Sequence, residues 1–314
     1  MSEKSKDPGT GVKYRRKTKR IINKDGSFNV KKIVPYSYSD GYISLINMGW
    51  IKFLSFTLAV ILIINIIFAS LYMMAGAETI GHTMGGSWID AFLSCLYFSF
   101  QSFTTVGYGA MHPSGHLSSV ISSFETVLGW GLFAIITGLL YGRFSRPSAR
   151  IRFSHKALFV RDDKGNRSLQ LRIANQRKNM LVNLNAVVML KLIDHTEEGF
   201  TRNYHQLPLR LNHIHFFPLN WTLVHDIDES SPLYNFNLDD LKMKDVELLV
   251  LITGFDDTFS QDVHTRFSYV HEDLIWDAKF RHPFYTDDQG DIIFPMHWLD
   301  EYESIEDQRS HVPN

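Results

Sequence analysis

The sequence predicts an α+β membrane protein in which two transmembrane helices flank a short re-entrant helix and loop, and a cytoplasmic β-sandwich follows. Three observations carry this expectation. First, charge is segregated. Residues 1–52 hold twelve Lys/Arg against four Asp/Glu, a net +8, whereas residues 53–142 hold no Lys or Arg and only Glu78, Asp90 and Glu125. Residues 143–314 carry twenty Lys/Arg against twenty-six Asp/Glu, a net −6 within a whole-chain charge of −1. Ninety residues without a basic side chain suit hydrocarbon, and no water-soluble fold requires them. Second, that interval contains two apolar runs long enough to cross a bilayer. Third, beyond Arg152 the apolar pattern shifts from helical spacing to alternation.

Taken in order, residues 1–36 form a basic segment whose first dozen residues look disordered. No short apolar core with a cleavage site follows promptly, so the segment is not read as a signal peptide. In "SDGYISLINMGW", Ser39 or Asp40 offers an N-cap, and Tyr42, Ile43, Leu45, Ile46 and Trp50 recur at helical spacing. This stretch is either a short amphipathic helix in the interface, anchored by Trp50, or an extension of the first span. Phe53–Ala75, "FLSFTLAVILIINIIFASLYMMA", is the first span, matching the roughly 30 Å of a hydrocarbon core. Trp88–Thr104, "WIDAFLSCLYFSFQSFT", is amphipathic and short for a crossing, so a re-entrant helix is expected; its Cys95, the chain's one cysteine, reads as a small buried residue. Leu117–Tyr141 is the second span. It carries Glu125, Gly129 and Gly131, residue types that turn toward other helices rather than lipid.

Nine Lys/Arg lie between Lys13 and Lys32, and Arg143, Arg146, Arg150 and Arg152 follow the second span directly. Both termini are therefore expected on the cytoplasmic side of a cell membrane crossed twice, a bacterial inner membrane being the natural setting. The pore domain is assigned to 37–146, a β domain to 147–302 and a tail to 303–314. In the β domain "IRFSHKALFV", "SLQLRIAN", "LVNLNAVVMLKLID" and "VELLVLITGFD" alternate or run apolar between turn signals, which argues for an antiparallel β-sandwich.

Between the spans stands "SFQSFTTVGYG". Irregular backbone at membrane depth is tolerated only where protein buries it or water fills a cavity. The pentapeptide TVGYG, residues 105–109, is the signature by which potassium filters are recognised. Its physical requirements are checkable here. Gly107 and Gly109 reach backbone angles closed to other residues, which lets successive carbonyls face one way. Thr105 adds a hydroxyl to its carbonyl, and Tyr108 can brace the loop from outside. The expected ion ligands are the carbonyls of Thr105, Val106, Gly107 and Tyr108, with K+ the permeant ion and no cofactor. The helix before the loop aims its negative end, near Thr104, at a dehydrated cation. One copy per chain supplies one of four filter walls, so the expected working unit is a homotetramer.

The second span should line the path below the filter. Phe133, Thr137 and Tyr141 lie four apart and share a face. Rings of Phe133 or Tyr141 would form a hydrophobic gate; lipid-facing aromatics are the alternative. Gly129 or Gly131 marks either a hinge or a close helix packing. Glu125 needs a hydrogen-bonded partner near the re-entrant helix, for which Gln101 or Ser102 is expected.

Together with "YGRFSRPSARIRFSHKALF", "FFPLNWTLVHDIDESSPLYNF" and "FSYVHEDLIWDAKF", these features resemble the inward-rectifier potassium channels, most closely the prokaryotic branch, over roughly residues 35–285. The resemblance implies an interfacial slide helix at about Tyr38–Gly49, an immunoglobulin-like cytoplasmic β domain that assembles as a tetramer, and an inner-helix gate at Phe133 and Tyr141. It implies regulation by anionic lipids through Arg143, Arg146 and Arg150, with Trp50 at the start of the outer helix. Departures from the family pattern are specific. Phe133 stands where strong rectifiers carry an acid, so block there should be weak. Gln101 and Met111 replace an ion pair behind the filter, Ala110 replaces an Asp at the outer mouth, and Ser148 and Ala149 replace paired lysines.

Other classes fare poorly. The basic stretch 13–32 abuts a span, so topology and lipid headgroups explain it better than nucleic acid does. No strand–GxGxxG–helix unit follows the second span, which argues against a nucleotide-gated channel, and no nucleophile–base motif marks an enzyme. The alternative from another class is a membrane-anchored β-sandwich binding or sensor protein whose spans only tether it. His213 and His215, in "HIH", share a strand face, but further metal ligands are not evident. "DDKGN" and "DDQGD" read as turns, and Asp226, Asp228 and Glu229 either collect cations or form a solvated loop.

Overall fold

The computed structural model describes residues 7–14, 20–31, 33, 40–83, 86–145, 149–177, 179–196 and 199–304. By contact the chain divides into two compact units, one spanning Val34–Arg146 and the other joining Met1–Ile33 to Pro147–Asn314.

The first unit is helical. Helix α1 covers Asp40–Asn47, α2 Trp50–Ala75, α3 Trp88–Phe103 and α4 His116–Phe144. The stretch before the first span is a helix of its own, because Gly49 adopts an extended backbone (φ −57°, ψ 149°) that separates α1 from α2. Both long helices are apolar and long enough to cross a membrane, and they bury little of that surface within one chain. Each extends slightly beyond the expected span: α2 gains Trp50–Lys52 and ends at Ala75 as expected, and α4 starts at His116 and runs on to Phe144. The start of α3 is fixed by a reciprocal cap. Ser87 Oγ accepts from the Asp90 amide, while the Asp90 carboxylate accepts from the Ser87 amide at 2.9 Å. Phe68, Ala69, Tyr72, Cys95 and Phe98 form the seam between α2 and α3.

The second unit is a sandwich of two sheets. Its strands are β1 (Lys13–Tyr14), β2 (Ile151–Phe153), β3 (Ala157–Arg161), β4 (Arg167–Asn175), β5 (Leu181–Thr196), β6 (Gly199–Leu207), β7 (His213–Phe216) and β8 (Asn220–Ile227), then, after helix α5 (Leu238–Met243), β9 (Glu247–Asp256), β10 (Gln261–Val270), β11 (Leu274–Trp276), β12 (Ala278–Phe280), β13 (Tyr285–Thr286), β14 (Ile292–Ile293) and β15 (Tyr302–Ser304). One sheet runs β1-β6-β5-β9-β10 with β7 on β5; the other runs β11-β3-β4-β2 with β8 on β4. Their facing side chains make one core, in which Leu171 and Leu223 meet Val188 and Val250, and the rings of Phe153 and Phe267 stack at 4.9 Å. Two details depart from the antiparallel expectation. "IRFSHKALFV" is split by Ser154–Lys156 into β2 and β3, and β11 pairs with β3 in parallel.

Of the dozen N-terminal residues expected to be disordered, 7–12 are held. The Asp7 carboxylate accepts the amides of Gly9, Thr10 and Gly11, and β1 pairs with β6. Further along, the Ile21 amide donates to Glu247 Oε1 at 2.7 Å, and Lys24 Nζ lies 3.3 Å from Asp273. Arg20 bonds Ser268 and sits 3.8 Å from Asp273. Part of the basic stretch is thus consumed by protein carboxylates, which sequence alone assigned to lipid. At the other end, β15 pairs with β12, so Tyr302–Ser304 is strand and not tail; residues 305–314 lie outside the described residues.

Candidate functional site

The loop after α3 is built by hydrogen bonds to the helix that precedes it. The Val106 and Gly107 amides both donate to the Gln101 carbonyl, at 3.0 and 3.3 Å, and the Thr105 amide donates to Ser102 at 3.1 Å. All peptide bonds among the described residues are trans, so each C=O points opposite to the N–H of the same unit. With the Val106 and Gly107 amides turned back on Gln101, the carbonyls of Thr105 and Val106 must point away from α3. Backbone angles continue the pattern. Thr105 (φ 59°), Gly107 (φ 50°) and Gly109 (φ 85°) are left-handed, whereas Val106 and Tyr108 are not. Such alternation of φ keeps successive carbonyls on one side, the converse of the nests in which successive N–H groups face an anion. Glycine adopts this backbone freely, but in threonine it costs about 1–3 kcal/mol. Sequence reasoning found the glycines and missed the strain at Thr105. Tyr108 is 80% exposed and Val106 half-exposed, so neither is covered within one chain.

Behind the loop lies a buried polar cluster. Tyr72 Oη donates to Glu125 Oε2 at 2.6 Å, and Ser99 Oγ donates to Glu125 Oε1. Ser99 Oγ also lies 3.0 Å from Asn65 Oδ1, and Asn65 returns to its own helix through the Ile61 carbonyl at 2.8 Å. All four side chains are fully buried. The Glu125 partners are therefore Ser99 and Tyr72, not Gln101 or Ser102; Gln101 instead lies behind the loop, its Nε2 4.0 Å from Met111 Sδ. A lone Asn in "LIINIIF" was the available signal for this cluster, since an amide in a lipid-exposed helix is costly without partners.

The inner helix α4 meets the same region at Gly129. A Cβ there would lie 2.2 Å from the Phe103 carbonyl oxygen, so the glycine permits a backbone-to-backbone approach between α4 and the end of α3. Gly131 has open space around it, and α4 runs unbroken through both. Phe133 and Tyr141 are 69% and 74% exposed, and Thr137, also exposed, bonds back to the Phe133 carbonyl. Phe133, Thr104 and Thr105 line one cavity of about 460 Å³, which brings the first expected gate residue close to the end of α3 and the start of the loop.

Arg143 has a defined role within this unit. Its guanidinium donates to the carbonyls of Leu45, Ile46 and Met48 at 2.6–2.9 Å and lies over the rings of Trp50 and Phe53 at 4.7 and 4.5 Å. It thus caps the C-terminal carbonyls of α1 with a cation, which the helix dipole favours. Arg150 is exposed, and Arg146 lies outside the described residues.

Elsewhere the weaker sequence constellations resolve into local chemistry. Asp162 and Asp287 accept amides of their own turns, and Asp226 forms a two-point ion pair with Arg210. Among the described residues no three His, Cys, Asp or Glu side chains gather as metal ligands.

Residues 151–311 match the family model described as the inward rectifier potassium channel C-terminal domain, and residues 51–146 match the ion channel model. The chain belongs to the inward rectifier potassium channels. It is 32% identical over 280 residues to the inward rectifier potassium channel Kirbac3.1 of Paramagnetospirillum magnetotacticum, covering 88% of this chain and 93% of that one. ATP-sensitive inward rectifier potassium channel 15 of Mus musculus is 27% identical, covering 87% of this chain and 78% of its own length. The corresponding channel 12 of Bos taurus is 25% identical over 314 residues. Membership in this family fits two apolar helices joined to a β-rich cytoplasmic domain, and it favours a channel over a tethered sensor.

Proposed function

We propose that four copies of this chain assemble around an axis and conduct K+ passively through a filter formed by Thr105, Val106, Gly107, Tyr108 and Gly109. The observation that carries the reading is the anchoring of the Val106 and Gly107 amides on Gln101, which turns the carbonyls before them toward the side one chain leaves open. Four such walls would replace the hydration shell of K+. Phe133, Thr137 and Tyr141 form the hydrophobic gate below, with Gly129 and Gly131 as the bending region and Gly129 also serving close packing. The β domain and anionic lipid modulate the gate, with lipid held by Trp50, Arg146 and Arg150; Arg143 contributes by fixing α1. Both termini are cytoplasmic. With Phe133 in place of an acid, intrinsic rectification is weak.

The test is ion flux into liposomes containing the purified channel, with and without anionic lipid. K+ and Rb+ should enter, Na+ should not, and Gly107→Asp should assemble yet conduct nothing. Equal entry of Na+ and K+, or a chain that stays monomeric in lipid, overturns the filter assignment.

A further inference from the structure

The two-histidine strand β7 carries a feature that channel function does not use. In the antiparallel pairing of β5 with β7, His213 stands opposite Asn185 and Leu184 opposite Ile214, which places His215 opposite Asn183. Asn183 lies where β5 slips register against β9, and its backbone is left-handed (φ 52°), a conformation that asparagine tolerates better than most residues. The bulge and the pairing together bring two imidazoles and two carboxamides to one solvent-facing patch.

The distances within that patch suit a metal ion. His213 Nε2 lies 3.3 Å from His215 Nδ1, and His215 Nδ1 lies 3.2 Å from Asn183 Oδ1. A tetrahedral ion with metal–nitrogen bonds of about 2.0–2.1 Å separates its ligands by about 3.3 Å, close to both spacings. The protonation state is also prepared. His213 Nδ1 is 3.0 Å from Asn185 Oδ1, which can only accept, so Nδ1 carries the proton and Nε2 presents its lone pair. That carboxamide is the outer partner which metal-binding histidines ordinarily have. Binding through Nδ1 calls for the His215 tautomer that carries its proton on Nε2.

We propose that His213 Nε2, His215 Nδ1 and Asn183 Oδ1 bind one divalent transition ion of the zinc, nickel or copper class per chain, with water completing the shell and Asn185 orienting His213. Imidazole donors select these ions, and the absence of a carboxylate ligand makes Mg2+ and Ca2+ poor occupants.

The experiment titrates the detergent-purified full-length channel with ZnCl2 by calorimetry and follows added Co2+ by its visible absorption. Wild type should bind one Zn2+ per chain at a site that His213→Ala/His215→Ala weakens by at least about tenfold. Asn185→Ala should weaken that site about 10- to 100-fold without changing its stoichiometry. Bound Zn2+ should raise the unfolding temperature of wild type and not of the double variant, while excess Mg2+ should fail to displace it. A double variant with the Zn2+ isotherm of wild type, or a stoichiometry of one ion per two chains, overturns the proposal.

Discussion

Replacing Glu125 by Ala removes the acceptor of two buried hydroxyls, but the two are not equally stranded. Ser99 Oγ retains Asn65 Oδ1 at 3.0 Å and the Asn65 carbonyl at 3.2 Å, whereas Tyr72 Oη has Glu125 as its one hydrogen-bond partner among the described contacts. A buried hydroxyl left unsatisfied costs about 1–3 kcal/mol. Hydrogen bonds between membrane helices average about 0.6 kcal/mol in double-mutant cycles, with a maximum near 1.7. The Tyr72–Glu125 coupling should therefore fall at about 1–2 kcal/mol, because both groups are fully buried and their bond is short. Tyr72→Phe in the Glu125→Ala background removes the stranded hydroxyl, so the double variant should be more stable than the sum of the single losses by that amount. The assay is reversible unfolding of the purified protein in mixed micelles, run for wild type, both single variants and the double variant. Strict additivity, within about 0.3–0.5 kcal/mol, would refute the claim that Glu125 serves Tyr72.

Other outcomes follow from single contacts. Gly129→Val should displace α4 from α3, since even a Cβ meets the Phe103 carbonyl at 2.2 Å, and K+ flux per protein should fall at least tenfold. Glu247 accepts Lys191 Nζ at 2.7 Å with the two side chains 0% and 2% exposed, so Glu247→Ala should destabilise the β domain by about 3–5 kcal/mol in chemical denaturation. The same change removes the acceptor of the Ile21 amide, so limited proteolysis within 20–31 should accelerate. His225 is buried between the Pro208 carbonyl and Ser231 Oγ, and desolvation lowers its pKa below the ordinary 6.5 although Asp226 and Asp228 oppose the shift. The unfolded chain then binds the extra proton, so stability should be lost as pH falls below about 6.5 and regained above it. Thermal melts of wild type against His225→Gln should show a shallower pH dependence in the variant.

Much of the pore unit was legible because its signals are local. Hydrocarbon length, the change in charge composition and a five-residue loop each act within one segment, and α2, α3 and α4 appear within three residues of the expected bounds. What sequence did not give is rotational. Glu125 was known to need a partner, yet whether α3 turns Ser99 or Gln101 toward it depends on the packing of Phe98 on α3 against Tyr72 on α2. Arg143 shows the same limit: a basic residue after a span suggests headgroups, but its position beside the end of α1 directs it to carbonyls. The N-terminal segment was the largest surprise. Its polarity is that of a disordered chain, and its order comes from acceptors on β9 and β10 that no local pattern announces.

Those acceptors lie far along the chain. Ile21 and Glu247 are 226 positions apart, and Arg20 and Ser268 are 248 apart. Residues 20–22 therefore lack these partners until β9 and β10 have been made, by which time both apolar helices have already been synthesised. Completion of the β body is in this sense a late event in biogenesis: β1 finds β6 earlier, but a chain truncated before β10 would leave Arg20 without its Ser268 partner.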